Sequence, residues 1–103
     1  MVFSDSDKEA IKRDLAASLG AEKEVRKVVV FGSFLKLPEP GDIDVAVFQD
    51  SQEPYLPLAL KYRKLARSIS GRIPLDIFPI RHDASATSPF MDEIEKGEAV
   101  YEL

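Results

Sequence analysis

No cysteine occurs among the 103 residues, which excludes disulfides and thiolate metal sites. The single histidine, His82, cannot build a zinc centre alone. No apolar run approaches the roughly 20 residues that a membrane helix needs. The N-terminal stretch MVFSDSDKEA turns acidic and polar within five residues, unlike a secretory signal, so a cytosolic location is the expectation. A basic excess is also missing. The net charge of −4 and pI of about 5.0 argue against strong nucleic-acid binding. They leave room for a nucleotide held by a few basic groups and a metal. Repeats, low-complexity segments and linkers are absent. What remains is ordinary: 45% hydrophobic and 31% charged residues, which suits one domain over 1–103 with its own core.

Local patterns give the order helix, strand, strand, helix, strand, helix. A first helix is expected over about Ser4 to Leu19, with Ser4, Asp5 or Ser6 as N-cap and Gly20 as C-cap. Ile11, Leu15 and Leu19 form its apolar stripe. Glu24–Phe31 reads as a β-branched strand broken by Gly32-Ser33, and Ile43–Phe48 as a central strand apolar on both faces. Between them, the segment with Pro38, Pro40 and Gly41 has room for only a short helical turn. Tyr55–Ser70 reads as a second helix with Leu58, Tyr62, Leu65 and Ile69 inward, ended by Gly71. Pro74–Ile80 is a short strand, placed on an edge or ended by Pro79. RHDASATSP reads as a loop. Ser88 then caps a last helix through Lys96, Gly97 stops it, and Ala99–Tyr101 is extended. The fold class is therefore α/β (α+β), a small mixed sheet flanked by helices.

The chemistry concentrates in three carboxylates and a turn. Asp42 and Asp44, two apart at the mouth of a strand, point to one face and repel each other. Asp76 stands between large apolar neighbours in LDIF. If its strand lies beside Ile43–Phe48, the three carboxylates form an oxygen-only cage suited to Mg²⁺ or Mn²⁺. Gly32 lets the backbone approach a ligand, and Ser33 offers a hydroxyl and an N–H to an anion. A metal site facing a phosphate site suits attack on a nucleotide phosphate.

This pattern resembles the minimal nucleotidyltransferases of the polymerase-β-like superfamily. Gly32-Ser33, Asp42-Ile43-Asp44 and Asp76 fill that family's signature, and the C-terminal stretch Phe90–Glu102 resembles its usual ending. The resemblance implies a nucleotidyltransferase fold in which Asp42, Asp44 and Asp76 are catalytic and ligate Mg²⁺ or Mn²⁺. Gly32 and Ser33 would grip the nucleotide, with Lys36 the one nearby cation. The implied reaction transfers AMP from ATP to a hydroxyl. Many such domains act as antitoxins that adenylylate a tyrosine of a helical HEPN-type ribonuclease toxin. An alternative is a binding module that neutralises its partner by contact alone; a nucleic-acid-end modifier fits the acidic balance less well. This sequence departs from the pattern in its loop. Only eight residues separate Ser33 from Asp42, Phe34 and Leu35 stand where basic residues often follow, and Gly41 replaces a common serine. The small chain leaves little room to bury a substrate, so an oligomer or second chain completing the cleft is expected.

Other features have plainer readings. Lys61, Arg63, Lys64 and Arg67 fit a solvated helix face. His82 fits a surface loop, and Tyr55, Tyr62 and Tyr101 fit core or rim positions. Phe34, Leu35 and Leu37 either fold back on the core or form a partner patch.

Overall fold

The computed structural model describes residues 3–83 and 88–103. The expected loop RHDASATSP therefore lies partly outside the described residues, at 84–87. Helix α1 spans Asp5–Gly20, and Ser4 caps it reciprocally: the Ser4 hydroxyl accepts from the Asp7 N–H, and the Asp7 carboxylate accepts from the Ser4 N–H. Strand β1 is Val25–Phe31, α2 is a single turn at Ser33–Lys36, and β2 is Ile43–Gln49. Then come α3 (Tyr55–Leu65), α4 (Arg67–Ser70), β3 (Leu75–Arg81), α5 (Pro89–Glu95) and β4 (Glu98–Glu102).

The four strands form one mixed sheet in the order β3-β2-β1-β4. β1 pairs antiparallel with β2 and β4, whereas β2 and β3 are parallel. A parallel neighbour needs a long crossover, and α3 with α4 supplies it. Strand alternation divides the apolar residues between two faces. Val28, Val30, Ile43, Val45, Val47, Leu75 and Ile77 join Ile11, Leu15 and Leu19 of α1 and Leu58, Tyr62 and Ile69 of α3 and α4 in the main core. Val29, Phe31 and Ala46 face the other way, against Ile94 of α5. β2 is thus interior and covered on both sides, as its apolar run predicts. β3 is one of the two edge strands, which is where a strand proline is tolerated.

Three expectations about the helices need correction. Gly20 does not end α1 in a left-handed cap. The helix runs through it to Ala21 at φ −71°, and Gly32 is the one described glycine with positive φ. Gly20 is small because the Tyr101 ring occupies the space a Cβ would take. The second helix is not continuous to Ser70. Ala66 departs to φ −98° and ψ 23°, and since alanine is the best helix former, packing rather than propensity imposes this break. Leu65 is exposed and Ala66 takes the buried place instead. Positions i+3 and i+4 share a helix face, so spacing alone does not choose between them.

Lys61 also leaves the solvated set. Its ammonium lies 2.9 Å from both Glu22 and Glu24, and the buried Tyr62 hydroxyl donates to Glu24 at 2.8 Å. Arg63, Lys64 and Arg67 are exposed. Of the apolar loop cluster, Phe34 is fully buried against Phe3, Leu35 packs on the core and Leu37 is exposed. Among the described residues no helix is long and apolar enough to cross a membrane.

Candidate metal and nucleotide site

The parallel register of β2 and β3 sets Asp44 directly beside Asp76. Asp42 immediately precedes β2, two residues before Asp44, and its carboxylate turns to the same side. One oxygen from each of Asp42, Asp44 and Asp76 can be chosen so that all lie within 4.8 Å of one another. Ile43, between the first two, is fully buried in the main core and anchors the pair from behind. The expected cluster is therefore formed, at one end of the sheet and on the face that α5 only partly covers.

The cluster is electrostatically uncompensated. Among the described residues, none of the ion pairs includes these three carboxylates. The pKa of Asp44 is raised, first by burial and then by the charges of Asp42 and Asp76. Three mutually repelling carboxylates with free oxygens are a donor set that fits a hard divalent cation such as Mg²⁺ or Mn²⁺.

Gly32 is built into the same site. Antiparallel pairing places Phe31 opposite Asp44, so the residue after Phe31 runs past the Asp44 side chain. Gly32 has φ 84° and ψ −154°, a region almost reserved for glycine. A Cβ there would lie 2.7 Å from Asp44 Oδ2. The turn and the carboxylate thus require each other's geometry. Ser33 opens α2, and the Leu37 N–H donates to its carbonyl at 2.9 Å. Lys36, at the end of α2, is exposed to solvent.

The short loop after Ser33 is held from two sides. Phe34 plugs the core, and the Phe3 N–H donates to the Pro38 carbonyl at 3.0 Å. Lys8 of α1 reaches the same loop, donating to the Leu37 carbonyl at 2.6 Å and lying over the Phe34 ring. Lys36 is therefore not the loop's one neighbouring cation. No local signal marks Lys8, which stands 29 positions away from Leu37. His82 is exposed beyond β3, at the opposite end from Asp76, and does not join the cluster. Tyr62 is buried, Tyr55 is exposed and Tyr101 is half-buried.

A family model described as polymerase beta, nucleotidyltransferase matches residues 13–103. The span contains Gly32, Ser33 and all three aspartates. No curated protein matches the chain.

Proposed function

The chain belongs to the polymerase beta nucleotidyltransferase family, whose chemistry is nucleotidyl transfer, and from that premise we propose that it moves AMP from ATP to a hydroxyl acceptor. The observation that carries this reading is the gathering of Asp42, Asp44 and Asp76 around one point, with Gly32 shaped against Asp44. The chain as a whole, 1–103, is one such domain.

In this reading Asp42, Asp44 and Asp76 would hold the divalent metal, with Asp42 and Asp44 its principal ligands. Bound Mg²⁺ or Mn²⁺ would neutralise charge on the attacking and leaving oxygens. Gly32 and Ser33 present backbone and hydroxyl donors to the triphosphate, with Lys36 at the edge. Asp76 accepts the proton of the acceptor hydroxyl as its oxygen bonds to the α-phosphorus. The bond from that phosphorus to the bridging oxygen breaks, and pyrophosphate leaves. The acceptor is a tyrosine of a helical HEPN-type ribonuclease toxin, which makes the chain an antitoxin; the motif resemblance supports this finer assignment. Incubating the protein with α-labelled ATP, Mg²⁺ and the partner should label the partner, and Asp44→Asn should abolish labelling. Absence of label on any acceptor refutes the proposal.

A second reading, neutralisation by contact alone, is favoured by the outward side of α3. Leu56 and Leu60 are 64% and 58% exposed there, one turn apart. They lie in a segment, 54–75, that has no acid and whose Arg63, Lys64, Arg67 and Arg72 are exposed. If contact suffices, Asp44→Asn will still suppress toxicity on co-expression. If catalysis is needed, it will not.

A further inference from the structure

Three phenylalanines line the same side of the sheet as the carboxylates. Phe31 pairs with Asp44 across β1 and β2, so both side chains project to one face. Phe78 follows Asp76 by two residues on β3 and shares its face, about 7 Å further along the strand. Phe90, in the first turn of α5, leans on both: its ring centroid is 5.8 Å from that of Phe31 and 5.1 Å from that of Phe78, each near edge-to-face. Burial falls outward through this cluster. Phe31 is 5% exposed, Phe78 is half-buried and Phe90 is 41% exposed. The small core on this face is already closed by Ile94. Phe90 therefore offers an open aromatic surface beside a polyanionic site.

A ligand that uses both features needs a part that binds metal and an apolar flat part. A nucleoside triphosphate has both. Its phosphates would meet Gly32 and Ser33, which directly follow Phe31 in the chain. Its base would then lie on the side where the rings are. We propose that Phe90, supported by Phe31 and Phe78, is the stacking platform for the base of the bound nucleotide. The assignment rests on the nucleotidyl-transfer reading and goes beyond it by locating the base. Base–aromatic stacking tolerates any base, so ATP serves as the probe.

Titration calorimetry in Mg²⁺ with ATP and with inorganic triphosphate tests this. Phe90→Ala should weaken ATP binding by about 5- to 150-fold, the range of a lost base stack, and leave triphosphate binding unchanged. Phe90→Trp should keep ATP affinity. Because the chain has no tryptophan of its own, that variant also reports directly: ATP should quench its fluorescence and triphosphate should not. Unchanged ATP affinity in Phe90→Ala overturns the platform and leaves the nucleotidyltransferase reading standing. Equal losses for ATP and triphosphate also overturn it, since they would show a role in shaping the site. Wild-type protein that binds neither compound removes the nucleotide reading itself, and the platform with it.

Discussion

Replacing Gly32 by alanine adds one methyl group at the most constrained point of the site. Two costs follow. The backbone at φ 84° and ψ −154° is strained for any residue with a Cβ, at about 1–3 kcal/mol. The new Cβ would also lie 2.7 Å from Asp44 Oδ2, closer than such atoms pack, so the carboxylate must swing away. Metal-free protein should thus lose at least about 1–3 kcal/mol in urea denaturation, or roughly 4–8 °C of melting temperature per kcal/mol for a chain of this size. Mn²⁺ affinity should fall as well, because displacing Asp44 opens the cluster. Gly41→Ala is the control. Nothing lies within 4 Å of its Cβ, so its stability should stay within about 0.5 kcal/mol of wild type. A double-mutant cycle with Asp44→Ala divides the two costs, since removing the carboxylate removes the clash but not the strain. Wild-type stability and wild-type Mn²⁺ affinity in Gly32→Ala would refute the claim that turn and carboxylate constrain each other.

Asp44→Asn should stabilise the metal-free protein at pH 7, measured by denaturation in EDTA. Burial and the charges of Asp42 and Asp76 raise the folded-state pKa of Asp44 above its unfolded value of 3.8. Its contribution is fully present below about pH 3.8 and is lost as pH rises through the folded-state value. The advantage of the amide should therefore vanish in acid, and saturating Mg²⁺ should reverse it at neutral pH. Tyr62→Phe should cost roughly 1.5 kcal/mol at pH 7, because a buried hydroxyl donates to the Glu24 carboxylate. Burial pushes the pKa of Glu24 upward, but hydrogen bonds from Lys61, its own backbone and Tyr62 outweigh this and lower it. The stability it contributes is present above about pH 4.5 and lost as pH falls through the folded-state value, so the cost of Tyr62→Phe should shrink in acid. Gly97→Ala should destabilise the β1–β4 pairing by more than 1 kcal/mol, read by hydrogen exchange at Val28–Val30. A Cβ there would lie 2.5 Å from the Val30 carbonyl oxygen, and backbone cannot easily move aside.

Much of the architecture was legible because its signals are local. The capping run Ser4-Asp5-Ser6, of which Ser4 is the cap, the Ile11-Leu15-Leu19 stripe, the Val28-Val29-Val30 strand and the Ser88 cap each act within a few residues, and each element formed there. The break at Ala66 and the exchange of Leu65 for Ala66 were not legible, since both choices satisfy helix periodicity. Gly20 misleads for a related reason. A glycine after an apolar stripe commonly marks a helix end, but here a distant ring, Tyr101, needs the space.

The site divides the same way. Residue order alone determined that Asp42 and Asp44 share a face, because side chains repeat every two positions along a strand. It also determined that a glycine and a serine follow the Val28–Phe31 run. Tertiary structure decided that Asp76 lies beside Asp44, through the parallel register of strands whose aspartates are 32 residues apart in sequence (76 − 44). It decided too that Lys8 reaches the loop after Ser33, and that Phe90 stands open against Phe31 and Phe78. The physical reason is range. Dihedral preference and side-chain periodicity act between near neighbours, whereas the meeting of charges and rings from separate elements is settled only when burial of the two apolar faces fixes how the strands align.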